Sequence, residues 1–449
     1  MPPPDAIVIG AGFAGLSAAT ALAERGARVL VLEGRPGLGG RATAFTDPHT
    51  GEHVDNGPHV LIGCYDETFR FLRRIGTDGL VHVDETLEIE FLDGTGQHSR
   101  LRAAGLPSPW HLLAGLARWP ALSWRDRAAA LRLGPVLARA ARRHARGERP
   151  NVDPDDTVHT WLERHGQTPR LVEMLWEPLA VAALNQPPAQ AAAAPFVRVL
   201  AQMFGGSRRN AAIGLPRVPL DALYAVPAAE WLRSRGSEVR TQARARVVFD
   251  GDRLSHVDVR GERHEAPAVI CTVPWHALEA TLQPVPPALE ALVAGARGMA
   301  SSPIVTVNLW LDRPVTDVPF VGLPGRTMQW VFDKRQAFGT AASHLSLVSS
   351  GAEAIVATRN EDLIELAMSE VRDALPLARP ATLTRATVVR ERRAPFSLAP
   401  GQPPRPAVVT AVSGLLLAGD WIDTGLPATI ESAVVSGHAA AAACAAAEC

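Results

Sequence analysis

The feature that most constrains this chain is Gly10-Ala11-Gly12-Phe13-Ala14-Gly15, a G-x-G-x-x-G set between a buried strand and a helix. Ala6–Gly10 is a continuous apolar run, as a parallel strand covered on both faces requires. A helix is expected from about Ala14 to Arg25, followed by Gly26 and a second strand over Arg28–Glu33. In such a unit the first glycine makes the tight turn, the second admits a pyrophosphate to the backbone, and the third lets helix and strand pack closely. The helix N-terminus offers its free N–H groups and a favourable dipole to phosphates. Glu33 follows Gly15 by 18 residues, where an acid binds ribose hydroxyls and disfavours a 2′-phosphate. Gly10, Gly12, Phe13, Ala14, Gly15 and Glu33 therefore read as a dinucleotide site on a βαβ unit.

At 449 residues the whole chain is long enough for two or three domains' worth of core. Basic and acidic residues nearly cancel, 45 against 46, so no charged surface suggests nucleic acid. Cys64, Cys271, Cys444 and Cys449 form no C-x-x-C pair, and neither a disulfide framework nor a metal site is expected. The MPPPD start has no basic n-region, and no apolar run reaches the ~18 residues of a membrane span. Cytoplasmic residence is the expectation.

Helical texture runs over about 106–146, breaks at Pro150–Pro154 and resumes over Val158–Ala183. Strand signals return at Val239–Val248, Leu254–Val259, Val269–Val273 and Ser302–Leu311. A helix is expected within Ala352–Leu375, a short strand at Leu415–Ala418 and a last helix from about Thr429. Dinucleotide-type elements thus lie at both ends and near the middle. The expected fold is α/β: a Rossmann-like domain from 1–90, 212–280 and 405–449, with an inserted mixed α+β substrate domain from 91–211 and 281–404.

Directly after Glu33 come Gly34 and Arg35-Pro36-Gly37-Leu38-Gly39-Gly40-Arg41, and near the C-terminus Leu417-Ala418-Gly419-Asp420-Trp421 precedes Gly425-Leu426-Pro427-Ala428-Thr429-Ile430-Glu431. In both places the chain resembles the flavin amine oxidase and phytoene desaturase superfamily. That resemblance implies FAD as cofactor, with Gly34, Arg35, Gly39, Gly40 and Arg41 extending the diphosphate and flavin cradle. It likewise implies Gly419 and Asp420 near the ribityl–diphosphate chain, and Pro427, Thr429 and Ile430 near the flavin pyrimidine. A helix N-terminus there would also stabilise the negative charge of reduced flavin. Ala245 is the expected backbone contact to adenine, and Gly57, Pro58 and His59 are expected beside the flavin.

Finer segments resemble the bacterial squalene-associated desaturase branch, the hydroxysqualene dehydroxylases. These are Val54–Tyr65, Trp176–Asn185, Leu215–Leu220 and Gly419–Pro427, with Pro58 standing where that branch more often has glutamine. The implied reaction, in squalene and hopanoid biosynthesis, removes the allylic hydroxyl of a C30 isoprenoid alcohol using an external electron donor. It needs an acid, an apolar tunnel and little water. His59, Asp55 and Glu177 are the candidate acids, each also readable as a packing or structural residue.

Amine oxidation is disfavoured, because Met299–Val305 lacks the lysine those enzymes use and Lys334, the chain's one lysine, lies well past it. Other readings stay open: a carotenoid or phytoene-type desaturase running the flavin the opposite way, or a non-catalytic isoprenoid-binding protein. Pro109–Arg125 combines Trp110, Trp119 and Trp124 with arginines. It reads either as a peripheral contact to the inner face of the cell membrane or as a cap over the substrate tunnel.

Overall fold

The computed structural model describes residues 3–108 and 110–446; Pro109 and Cys449 lie outside the described residues. Strands Ala6–Ile9, Val29–Leu32, Ala268–Cys271 and Leu415–Leu417 are entirely apolar and wholly buried. Joined by Glu238–Arg240, they form one parallel sheet with Ala6–Ile9 at its centre, between Val29–Leu32 and Ala268–Cys271. Burial on both faces is what selects these uninterrupted apolar runs.

The helix Phe13–Glu24 covers one face, and its sequence FAGLSAATALAE is buried through Ala23. Small residues permit that burial. A Cβ on Gly15 would lie 2.0 Å from the Gly10 carbonyl oxygen, so helix and strand touch backbone to backbone. The last helix, Ile430–Ala446, packs on the first in the same manner: a Cβ on Gly437 would sit 2.4 Å from the Ala14 carbonyl oxygen.

The stretch expected as one strand over Val239–Val248 is two, Glu238–Arg240 and Ala245–Asp250. Between them Gln242 takes φ 54°, because its N–H and that of Ala243 turn aside to the carbonyls of Arg35 and Glu33. Ala245–Asp250 then joins Arg253–Val259 and Glu262–His264 in a separate antiparallel sheet.

The second large sheet has seven strands, in the order Leu383–Glu391, Ile304–Leu311, Ser343–Ser350, Trp330–Asp333, Phe320–Gly322, Glu88–Leu92, His98–Arg102. The expected boundary at 90/91 falls inside one of them. Glu88–Leu92 pairs along its whole length with His98–Arg102 and touches Phe320–Gly322, so both halves of that strand belong here. One face carries Val305, Val307, Leu309, Val331, Leu345 and Leu347 against the helix Asn360–Ala374. The opposite face carries Thr306, Asn308, Trp310, His344, Ser346, Trp330 and Phe332, and is turned toward the residues that follow Asp55.

The 106–146 region forms three helices, Trp110–Arg118, Trp124–Arg132 and Gly134–Ala145. Ser123 caps the second, accepting from the Asp126 N–H while the Asp126 carboxylate takes the Ser123 N–H. Further on, π-helical turns at Val172–Trp176 and Asp221–Ala225 each precede a proline, Pro178 or Pro227. Proline lacks the N–H that would continue the regular ladder, which favours a widened turn just before it.

The Gly15 contact has a measurable consequence. Gly15→Ala should destabilise the protein by about 3 kcal/mol, since a backbone carbonyl cannot yield as a side chain would. Gly295→Ala, in the helix Glu290–Gly298 with nothing within 4 Å of its Cβ position, should be neutral or stabilising. Thermal unfolding of the two variants checks both, and equal melting points would contradict the close-packing account.

Candidate active site

Glu33 is the hinge of the N-terminal site. Its carboxylate accepts from the Ala11 N–H and the Arg35 N–H, both at 2.9 Å, and so ties the glycine turn to the loop that begins at Gly34. Each carboxylate oxygen keeps a lone pair for a further donor such as a ribose hydroxyl. Gly12 differs from Gly15 in what surrounds it. A Cβ there would meet only the Gly39 carbonyl oxygen, at 3.9 Å, and its φ of −87° is open to any residue. Protein packing therefore does not require this glycine, whereas a group approaching the helix N-terminus would. Gly40 borders the same space, 3.5 Å from Gly12 Cα to its own Cβ position.

Tyr224, which sequence reasoning did not single out, secures that loop. Its ring stacks on Phe13 at 3.6 Å between centroids, and its hydroxyl donates to the carbonyls of Gly39 (2.6 Å) and Ala42 (3.1 Å). No local signal marks it, because the contact closes a separation of 185 residues.

The two ends of the chain meet at Arg41. Its guanidinium binds the Asp420 carboxylate at 2.5 Å and also the Ala394 carbonyl. Gly419 and Asp420 are held in turn by Ser436, whose hydroxyl takes the Gly419 N–H, and by Ser432, which donates to the Asp420 carbonyl. Thr429 accepts the Ser432 N–H and starts the last helix at Ile430. Glu431, one residue on, receives the N–H groups of Glu67 and Thr68 and the Thr68 hydroxyl, fixing the helix Asp66–Ile75 beside it. Ile62, Cys64, Tyr65, Ala183, Leu426, Pro427 and Thr429 line one narrow cavity, so three segments far apart in sequence share a wall. Ala245 opens its strand opposite Val259, with Ala243 bonded to Glu33 and Arg244 against Gly34.

The expected acids are in different situations. Asp55 is 5% exposed and fully engaged: Lys334 Nζ lies 2.6 Å from one oxygen and the Leu220 N–H 3.2 Å from the other. Lys334 appeared remote in sequence. The turn after Trp330–Asp333 folds it back onto Asp55, and it is itself 5% exposed. His59 donates from Nδ1 to the Gly57 carbonyl at 2.7 Å. Burial holds its imidazole below the usual value, against the opposing pull of Asp55 and of that hydrogen bond. Pro58, between them, is partly buried. Glu177 lies apart, at the start of the helix Glu177–Leu184 and open to solvent, although crowding and Glu173 raise its carboxyl above the ordinary range. The structure thus gathers Asp55, His59 and Lys334 and gives Glu177 no bond to them.

Residues 10–15, 33–41 and 419–420 are tied together through Glu33 and the Arg41–Asp420 pair, with little packed against Gly12. Such a site suits a long cofactor carrying a diphosphate. In comparisons with known proteins, the family described as flavin containing amine oxidoreductase matches residues 13–445. The chain is 29% identical to a hydroxysqualene dehydroxylase of Zymomonas mobilis subsp. mobilis, covering 97% of each protein. It is 30% identical to that of Rhodopseudomonas palustris, covering 97% of this chain and 96% of the relative. A 15-cis-phytoene desaturase of Arabidopsis thaliana is 25% identical, over 97% of this chain and 79% of the relative. Among solved structures, an oxidoreductase from Methanosarcina mazei superposes with a TM-score of 0.74 at 16% identity, covering 97% of this chain and 99% of that one, which shows the fold alone.

A second histidine beside Lys334 makes the site sensitive to acid. Burial, and then repulsion from Lys334, hold His344 down at about 3, against an ordinary value of 6.5. The unfolded chain therefore binds this proton first, so the stability at stake is complete above pH 6.5 and lost as pH falls toward 3. The slope from one such group is at most about 1.4 kcal/mol per pH unit. Denaturation of wild type and His344→Gln between pH 7 and pH 4 should show a flatter dependence in the variant; parallel curves would contradict the assignment.

Proposed function

The chain belongs to the flavin containing amine oxidoreductase family, and from that premise we propose that it reduces hydroxysqualene to squalene. The observation that carries this reading is similarity over nearly the whole length to two hydroxysqualene dehydroxylases, at higher identity than to the phytoene desaturase. FAD is the cofactor, and when bound and reduced it would supply the hydride that replaces the hydroxyl.

The residues fit that cofactor. Gly10, Gly12 and Gly15 with the helix end at Phe13 and Ala14 would take the diphosphate, and Glu33 the adenosine ribose. Gly34, Arg35, Gly39, Gly40 and Arg41 would continue the cradle, with Gly419 and Asp420 facing them across the Arg41–Asp420 pair. Pro427, Thr429 and Ile430 would meet the flavin at a helix N-terminus, Gly57, Pro58 and His59 would border it, and Ala245 would contact adenine.

In the reaction, the carbon–oxygen bond breaks, one proton converts the hydroxyl to water, and an external reductant restores the cofactor. Proton delivery is assigned to the cluster of His59, Asp55 and Lys334. His59 donates from Nδ1 and so leaves Nε2 free to take up a proton; the transient imidazolium passes that proton to the hydroxyl as the carbon–oxygen bond breaks. Asp55 acts by holding Lys334, since both its oxygens are engaged. Glu177 is the weaker candidate because of its exposure.

A C30 alcohol must be drawn from lipid, and the three-helix region offers a peripheral contact. Trp110 and Trp124 are 63% and 74% exposed and Leu131 is 55% exposed, alongside exposed Arg125, Arg132, Arg139 and Arg142. Trp119 is turned inward, 1% exposed, and belongs to the core. Among the described residues, no helix is long and apolar enough to cross a membrane.

Mixed anaerobically with hydroxysqualene, the reduced enzyme should form squalene as its flavin reoxidises, one for one. Reoxidation without squalene would end this reading. His59→Gln should slow that single turnover about a hundredfold; an unchanged rate would remove His59 from the proton path. Separately, Trp110→Ala/Trp124→Ala should cut flotation with anionic liposomes about tenfold, and undiminished flotation would place the contact elsewhere.

A further inference from the structure

The face of the seven-stranded sheet turned toward Gly57 holds an unusual set of polar groups. Thr306, Asn308 and Ser346 are at most 1% exposed, yet Thr306 Oγ1, Asn308 Nδ2 and Ser346 Oγ have no hydrogen-bond partner. Folded proteins rarely leave such groups unpaired. Other unpaired buried atoms include the Nε of Arg127, Arg198, Arg335 and Arg385, whose guanidinium groups bond through other nitrogens. Trp330 Nε1, on the same face, is unpaired as well, while Thr306, Asn308 and Ser346 are close neighbours. Asn308 and Ser346 stand directly opposite each other on adjacent antiparallel strands, and Thr306 is two residues from Asn308 on the same face.

Asn308 is also held in place through its oxygen. His344 Nε2 lies 3.0 Å from Asn308 Oδ1, with its ring stacked on Trp310 at 4.2 Å. Asn308 Oδ1 is thereby engaged, and the two N–H groups of Nδ2 are left to point elsewhere. Thr306 Oγ1 lies 3.5 Å from the Cβ position of Gly57, which borders the proposed flavin edge. Along the same row the polar group gives way to rings: Ser346 is opposite Phe332, and Phe332 is opposite and stacked on Phe320 at 5.8 Å. Phe91, Trp330 and Trp119 continue the aromatic strip.

A few unpaired donors at one end of a buried aromatic strip match a ligand that is almost wholly apolar and carries one hydroxyl. We infer that Thr306, Asn308 and Ser346 bind the hydroxyl of the isoprenoid alcohol and hold it as it departs as water. Asn308 donates to the hydroxyl oxygen, and the Thr306 and Ser346 hydroxyls donate or accept as the oxygen takes up its proton. The inference rests on the proposed reaction but concerns recognition, which can be measured without turnover.

The test uses oxidised holoenzyme equilibrated with detergent micelles holding equal amounts of hydroxysqualene and squalene, with retained ligand quantified by gas chromatography. Wild type should retain the alcohol at least about tenfold over the hydrocarbon, because squalene leaves the buried donors unpaired. Asn308→Leu/Ser346→Ala should reduce that preference to about twofold or less with squalene retention maintained. Thr306→Val, nearly the same shape, should lower it without loss of folding. Equal retention by wild type would overturn the inference, as would an undiminished preference in folded variants. So would loss of FAD with both ligands falling together, which would give these groups to the cofactor. Squalene formation by reduced wild type, measured on the same preparation, separates failure of the reaction from failure of the subsite.

Discussion

Everything at this site depends on how closely the first helix approaches its neighbours. With Gly15 against the Gly10 carbonyl and Gly437 against that of Ala14, Phe13–Glu24 is clamped between the parallel sheet and the last helix. Side chains any larger would push these layers apart. The clamp delivers the C-terminal segment to the N-terminal one, so that Arg41 reaches Asp420 and Thr429 shares a cavity wall with Tyr65. The Arg41–Asp420 pair and the shared wall both need such a fixed contact, because their residues come from opposite ends of the chain.

A second tie joins that clamp to the seven-stranded sheet. The Asp55–Lys334 pair is buried on both sides, and removing two charges from water costs more than an ordinary contact returns. Its geometry offsets part of that cost: the second Asp55 oxygen is bonded to the Leu220 N–H, and the Lys334 ammonium lies over the Phe338 ring at 4.5 Å. Such a pair contributes position more than stability. It pins the segment leading to Gly57 and His59 against the sheet face bearing Thr306, Asn308 and Ser346.

How far the sequence could be read depended on the range of the interactions. The βαβ unit was legible because strand, glycine turn, helix and acid all lie within about thirty residues and obey local rules. The segments 34–41 and 419–430 stood out through family resemblance, which each carries in one continuous stretch of chain. The seven-stranded sheet was harder. Leu345 and Leu347 alternate with Ser346, as a strand should, but Phe320–Gly322 and Trp330–Asp333 are too short to signal themselves, and the strand Glu88–Leu92 straddled the expected boundary. In Val239–Val248 the alternation was real but the chain breaks it, since Gln242 and Ala243 bond backward to Arg35 and Glu33.

By itself, then, the sequence determined the dinucleotide-binding unit, the cofactor class through resemblance, and the apolar character of the strands, because each follows from spacing along the chain. Only tertiary structure decided which side chains share a site. Lys334 meets Asp55 across 279 residues and Tyr224 meets Gly39 across 185. Asn308 finds Ser346 only through strand register. Spacing along a chain carries helix and strand periods, but it carries no record of which distant polar groups burial will leave face to face.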